Sequence, residues 1–170
     1  MKKASKIGLI VAGSIVGLLI IAAVGYRLMF SQGVVESFEV NSPDLKTKVL
    51  IATQGSGFKD ALVSGIIEDL KKKSAYIKVV DVTTLSDVKE DEWNVVVLIS
   101  TCQSAKLQPD TVAYLDQAKD LDKTILLITS GSGTWKPEDS PIDCISSASR
   151  KANVDSLVVN ILNRLNTILG

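Results

Sequence analysis

The residues best suited to chemistry are the turn Gln54-Gly55-Ser56-Gly57, which follows an apolar run ending at Thr53. Glycines let a backbone approach a ligand closely, and unpaired N–H groups at a helix amino terminus, with the helix dipole behind them, favour an anion. The turn is therefore a candidate phosphate or carboxylate site. Two more stretches of small and polar residues leave apolar runs in the same way: Thr101-Cys102-Gln103-Ser104 and Ser130-Gly131-Ser132-Gly133-Thr134-Trp135. The second is not a dinucleotide fingerprint, because no helix opens directly behind it, and its glycines suit either close approach to a ligand or a plain turn.

Other chemistry is excluded. The chain has no histidine, which removes Ser-His-Asp and Cys-His catalysis and histidine-ligated metals. Its two cysteines are too few for a disulfide framework or a four-cysteine zinc site. Cys102, at a strand exit with no histidine to activate it, reads as buried filler, and Cys144 reads as core. The carboxylates Asp81, Asp87, Glu90, Asp91 and Glu92 read as solvated surface, and no pair has a spacing that demands acid–base work.

The elements that must position these turns are legible from the apolar pattern. Val49-Leu50-Ile51-Ala52 is a continuous apolar run, as in a strand buried on both faces of a parallel sheet. From Phe58, apolar residues recur at three- and four-residue spacing to Leu70, which predicts a helix ended by Lys71-Lys72-Lys73. Tyr76–Val82, Asn94–Ser100, Thr124–Thr129 and Ile142–Ile145 read as further strands, with a helix over Pro109–Leu121. Asn153 or Asp155 then caps a last helix striped by Val154, Leu157, Val158, Ile161, Leu162, Leu165 and Ile168. Ser86–Glu92 reads as a helical turn or loop. Five strands alternating with helices predict a three-layer parallel α/β domain.

The amino terminus has a different character. No charged residue lies between Ile7 and Tyr26, and about 20 residues at 1.5 Å rise match a bilayer core of about 30 Å. The run is longer than a secretory h-region and no Ala-x-Ala site follows it, so an uncleaved anchor is expected over residues 1–30. Lys2, Lys3 and Lys6 precede it and only Arg27 follows closely. This places the amino terminus in the cytoplasm and the body outside, in a single-pass protein of the cell membrane. Residues 1–30 hold four basic and no acidic side chains, leaving 15 basic against 19 acidic in the remainder, a net charge of −4. Such a body lacks the basic stripe that nucleic acid requires. Residues 31–47, with Gly33, Asn41, Ser42 and Pro43, read as a tether in which Val34–Val40 alternates enough to be extended; the domain proper is expected over 48–170.

The order of elements and turns over Lys48–Leu169 resembles the flavodoxin-like family. The likeness rests on KVLIATQGSGF as first strand and phosphate-loop position, DEWNVVVLIST as third strand and ILLITSGSGTW as fourth strand with its ligand-side loop. It implies a three-layer, five-stranded parallel sheet of order 2-1-3-4-5, with FMN at the carboxyl ends of the strands. Three turns would then converge on the ligand through Thr53, Gln54, Gly55, Ser56, Gly57 and Lys59, through Thr101 and Cys102, and through Ser130, Gly131, Ser132, Gly133 and Trp135. Against the family's T/S-x-T-G-x-T loop, Ser56 and Gly57 match. Lys59 replaces the last threonine and could meet a phosphate as a point charge. The aromatic that usually covers the ring after the third strand is missing, which leaves Trp135 for stacking. The run Asp143–Ser149 faintly resembles the D-x-x-S-G-A-T acceptor of covalently attached FMN, although as local structure it is a serine-rich strand exit capping a helix. The resemblance implies an electron-transfer module with a redox protein partner. The alternative is a non-catalytic binding or scaffold domain that keeps the fold without the cofactor.

Overall fold

In a computed structural model, residues 3–30 and 32–170 are described, the side chains of residues 3–11 and 26–30 excepted. The chain forms two compact units, Met1–Gln32 and Gly33–Gly170. The first contains helix α1 (Lys3–Phe30). Much of the anchor expected over residues 1–30 lies outside the residues whose side chains are described. Among the described residues, no helix is long and apolar enough to cross a membrane.

The second unit is an α/β domain. Its strands are β1 (Phe38–Val40), β2 (Lys48–Thr53), β3 (Tyr76–Asp81), β4 (Val95–Thr101), β5 (Thr124–Thr129) and β6 (Cys144–Ser147). Its helices are α2 (Gly57–Lys71), α3 (Pro109–Gln117) and α4 (Val154–Leu169). Together the strands make one six-stranded sheet in the order β1-β3-β2-β4-β5-β6. Its five-strand part, β2 to β6, is parallel throughout, and β1 lies antiparallel to β3. The expected sheet of five parallel strands is corrected to a mixed sheet whose order includes this added edge. The reason lies in residues read as a tether: Phe38, Glu39 and Val40 pair with Val79, Lys78 and Ile77, and Lys78 Nζ lies 3.3 Å from the Glu39 carboxylate. The parallel strands form the doubly wound arrangement that flavodoxin-like proteins share.

Alternation along each strand builds two cores. Val49 and Ile51 of β2, Val95, Val97 and Ile99 of β4, and Ile125 and Leu127 of β5 face a layer formed by α2 and α4. Leu50 and Ala52, Val96 and Leu98, and Leu126 and Ile128 face α3 and the β3–β4 connection. These interior strands are almost wholly buried, which is why their sequences run apolar without a break. Gly65 of α2 is needed for the close approach to α4, because a Cβ there would fall 2.8 Å from Val158 Cγ2.

The β3–β4 connection contains no α-helix. It folds as two 3-10 turns, Val82–Asp87 and Glu90–Glu92. Helix α3 stops at Gln117, short of the expected Leu121, and β6 starts two residues later than expected. Asn153 occupies the amino cap of α4 without a side-chain capping bond. Its Nδ2 instead donates to Ser147 Oγ and to the Ala148 carbonyl, fixing the strand exit.

Candidate functional site

The carboxyl ends of β2, β4 and β5 bring part of the expected site together around a lysine. Lys59 lies in the first turn of α2 but is only 1% exposed. Its side chain turns inward: Nζ donates to Gln54 Oε1 at 2.9 Å and to Thr101 Oγ1 at 2.5 Å. Gln54 Oε1 also accepts from the Thr101 N–H at 3.0 Å, and the Thr101 and Thr129 hydroxyls lie 3.1 Å apart. Burial lowers the Lys59 ammonium from 10.5 to about 7, with Asp81 and Asp60 opposing the shift. Lys59, expected to meet a phosphate as a point charge, has its ammonium engaged by Gln54 and Thr101. A buried cation satisfied by an amide and a hydroxyl, with carboxylates nearby, costs less than one left without partners.

The turn before α2 is engaged as well. Gly55 N–H donates to the Gly33 carbonyl at 2.7 Å, and Gly33 N–H donates to the Gly55 carbonyl at 2.9 Å. This reciprocal pair lays the entry segment across the loop. It requires glycine at residue 55, since a Cβ there would stand 2.9 Å from both Gly33 C and Gly33 O. Ser56 caps α2, its Oγ accepting from Lys59 N–H at 3.3 Å. The Thr53 hydroxyl donates to the adjacent Gln54 carbonyl. Gly57 alone keeps open space, with nothing within 4 Å of a Cβ placed there.

The entry segment is held at two further points. Val35 N–H donates to Asp81 Oδ2 at 2.8 Å, and Ser37 Oγ donates to the Val79 carbonyl at 3.1 Å. Asp81 is 4% exposed, and its other oxygen accepts from Thr83 N–H and Thr83 Oγ. Reading Asp81 as solvated surface is corrected here. A signal existed, since an aspartate two residues before a threonine at a strand end is a local cap pattern. Glu90 likewise departs from that reading: its carboxylate accepts from Lys119 N–H and Asp120 N–H and pairs with Lys123. Burial works to raise its pKa, but the Lys119 and Asp120 N–H groups and Lys123 together hold it below the usual carboxylate range.

The other two turns are shaped by their own chain. Cys102 is a half-buried free thiol that burial pushes up, which does not favour a thiolate nucleophile. Beyond it, Gln103 and Lys106 pair across Ser104 and Ala105, both at positive φ. In the loop after β5, Ser130 N–H donates to Ser147 O and Ser130 Oγ accepts from Gly133 N–H. Ser132 Oγ accepts from Thr134 N–H, while Gly131 has open space around it. Gly133 has φ +75, and a Cβ on it would meet Ala148 N at 2.5 Å. Trp135 packs, half buried, on the α3-side core, and its carbonyl accepts from Ser146 Oγ. It is a packed residue of this loop.

Three of the groups expected to meet an FMN phosphate are engaged within the chain. The Gly55 N–H that would face it is bonded to Gly33, the Ser56 hydroxyl caps the helix, and the Lys59 ammonium points into the domain. Among the described residues, no group of three or more acidic or cysteine side chains could hold a metal ion. A cavity of about 380 Å³ lies elsewhere, along α3 and the β3–β4 connection, bordered by Leu85, Val88, Tyr114 and Ala118 among others.

No protein-family model matches the chain, and no curated protein matches it either. Among solved structures, it is similar to a flavodoxin from the domain Archaea, with 13% identity and a TM-score of 0.49, over 73% of this chain and 100% of that one.

Proposed function

We propose that this chain is a non-catalytic binding or scaffold domain of flavodoxin-like architecture, held at a membrane by its amino-terminal helix and carrying no resident flavin. The observation that supports the reading is the reciprocal Gly33–Gly55 pair, which engages the backbone of the turn expected to hold a phosphate. The direct test is FMN titration of the full chain in detergent, followed by flavin fluorescence and by absorbance of the protein as purified. No quenching at micromolar protein is expected. A copurifying flavin would overturn the reading and establish its rival, an FMN electron-transfer module with a redox protein partner. That rival is favoured by one observation, the open space around Gly57 and Gly131.

Anchoring is supported by the composition of α1. In its described part Leu18, Leu19 and Ile21 are 67%, 64% and 70% exposed, and water is a poor solvent for such a surface. With Lys2, Lys3 and Lys6 ahead of the uncharged run 7–26, the amino terminus stays in the cytoplasm and the domain lies outside, at the cell membrane. Alkaline extraction should leave the chain in the membrane pellet, and protease added to spheroplasts should reach the domain. Release at high pH, or protection of the domain, would refute the placement.

A further inference from the structure

We propose that Gly33–Val40 is a strap that opens as a unit of its own and, when open, uncovers the Gln54–Lys59–Thr101 cluster at the carboxyl end of the sheet. This inference rests on hydrogen bonds alone and does not depend on whether a flavin binds.

The strap differs from the rest of the domain in what holds it. Strands β2, β4 and β5 are each fixed by a ladder on both sides and by a core on both faces. The strap has a ladder on one side only, three residues long, and beyond it a few separate fastenings: Gly33 to Gly55, Val35 to Asp81 and Ser37 to Val79. Apart from Glu39, which pairs with Lys78 at 3.3 Å and bonds Tyr76, its side chains add little. Val34 is 79% exposed and Phe38 is 43% exposed, while Val35 and Val40 pack at the margin of the core. Segments with few buried apolar contacts and exposed backbone bonds open at lower free energy than the core they lie on.

Two fastenings join the strap to the lysine cluster. Gly55 follows directly on Gln54, whose amide oxygen receives Lys59 Nζ. Asp81 holds Val35 N–H and also acts on Lys59, where its charge opposes the effect of burial more than that of Asp60 does. Opening the strap removes the cover over Gly55 and frees one Asp81 oxygen. In sequence, only residues 31 and 32 separate the strap from α1.

Hydrogen exchange of the full chain, read by mass spectrometry, tests the proposal. Peptides covering 33–40 should exchange faster than those of β2, β4 and β5 in the unaltered chain. Gly55→Ala, whose Cβ cannot coexist with Gly33 at its present distance, should speed exchange of 33–40 by about tenfold or more and leave the central strands unchanged. Asp81→Asn keeps the shape and removes the charge, and it should act in the same direction with smaller effect. Lys59, probed with acetic anhydride, should acylate faster in both variants than in the parent. The strap is overturned if 33–40 exchanges in step with β2 and β4, or if both variants leave its rate unchanged. Faster strap exchange without faster Lys59 acylation overturns the uncovering. If Gly55→Ala does not fold, Asp81→Asn decides alone.

Discussion

Lys59 gives the domain a pH signature whose sign can be worked out. Its folded value, about 7, lies well below the ordinary 10.5, because burial disfavours the ammonium more than Asp81 and Asp60 favour it. Between those two pH values the unfolded chain holds a proton that the folded chain has released. The unfolded state binds more protons there, so stability rises as pH climbs above about 7 and is least below it. Urea melts at about pH 6 and about pH 9 should show the midpoint rising, and Lys59→Met should flatten that rise. An identical slope in the variant would remove Lys59 as its origin. A second prediction concerns Gly133, at φ +75 with Ala148 N 2.5 Å from any added Cβ. Gly133→Ala should cost about 2 kcal/mol or more in urea unfolding, whereas Gly131→Ala, where space is open, should cost little.

At the level of elements, α4 completes one face of the sheet, and its energetic centre is Ile161, fully buried against the core shared with α2. Ile161→Ala should lower stability by about 2–5 kcal/mol, while the exposed Val159→Ala on the same helix should be near neutral in the same melts. This helix and strands β2, β4 and β5 were legible in the sequence because their burial is written in side-chain type: a 3.6-residue stripe in one case, unbroken Val, Ile and Leu in the others. The strap was not legible. Val34–Val40 shows alternation, but its partner strand and its antiparallel sense are set by backbone bonds to residues some forty positions away, which leave no mark on composition. The inward turn of Lys59 was hidden for a related reason, since its acceptors Gln54 and Thr101 come from different strands. The three turns were legible as strand exits. What fills them was not, because a glycine that accommodates a ligand and one that accommodates another stretch of the same chain look alike.

Across the whole molecule, both cores and every strand belong to the unit Gly33–Gly170. A chain beginning at Gly33 should therefore keep the far-UV circular dichroism of the sheet and a single cooperative melt. Loss of cooperativity on removing residues 1–32 would show that the first unit contributes to folding. The remaining consequence concerns the order of synthesis. Helices α2 and α4 stand side by side on one face, yet α2 is the first helix of this unit to be made and α4 the last. That face cannot close until α4 has been made. Until then the Val95–Ile99 run is β-prone, uncharged and half covered, the kind of segment that pairs with neighbours when exposed. A nascent chain in which α4 is still missing is thus at its most adhesive, and chains truncated within α4 should accumulate as aggregates.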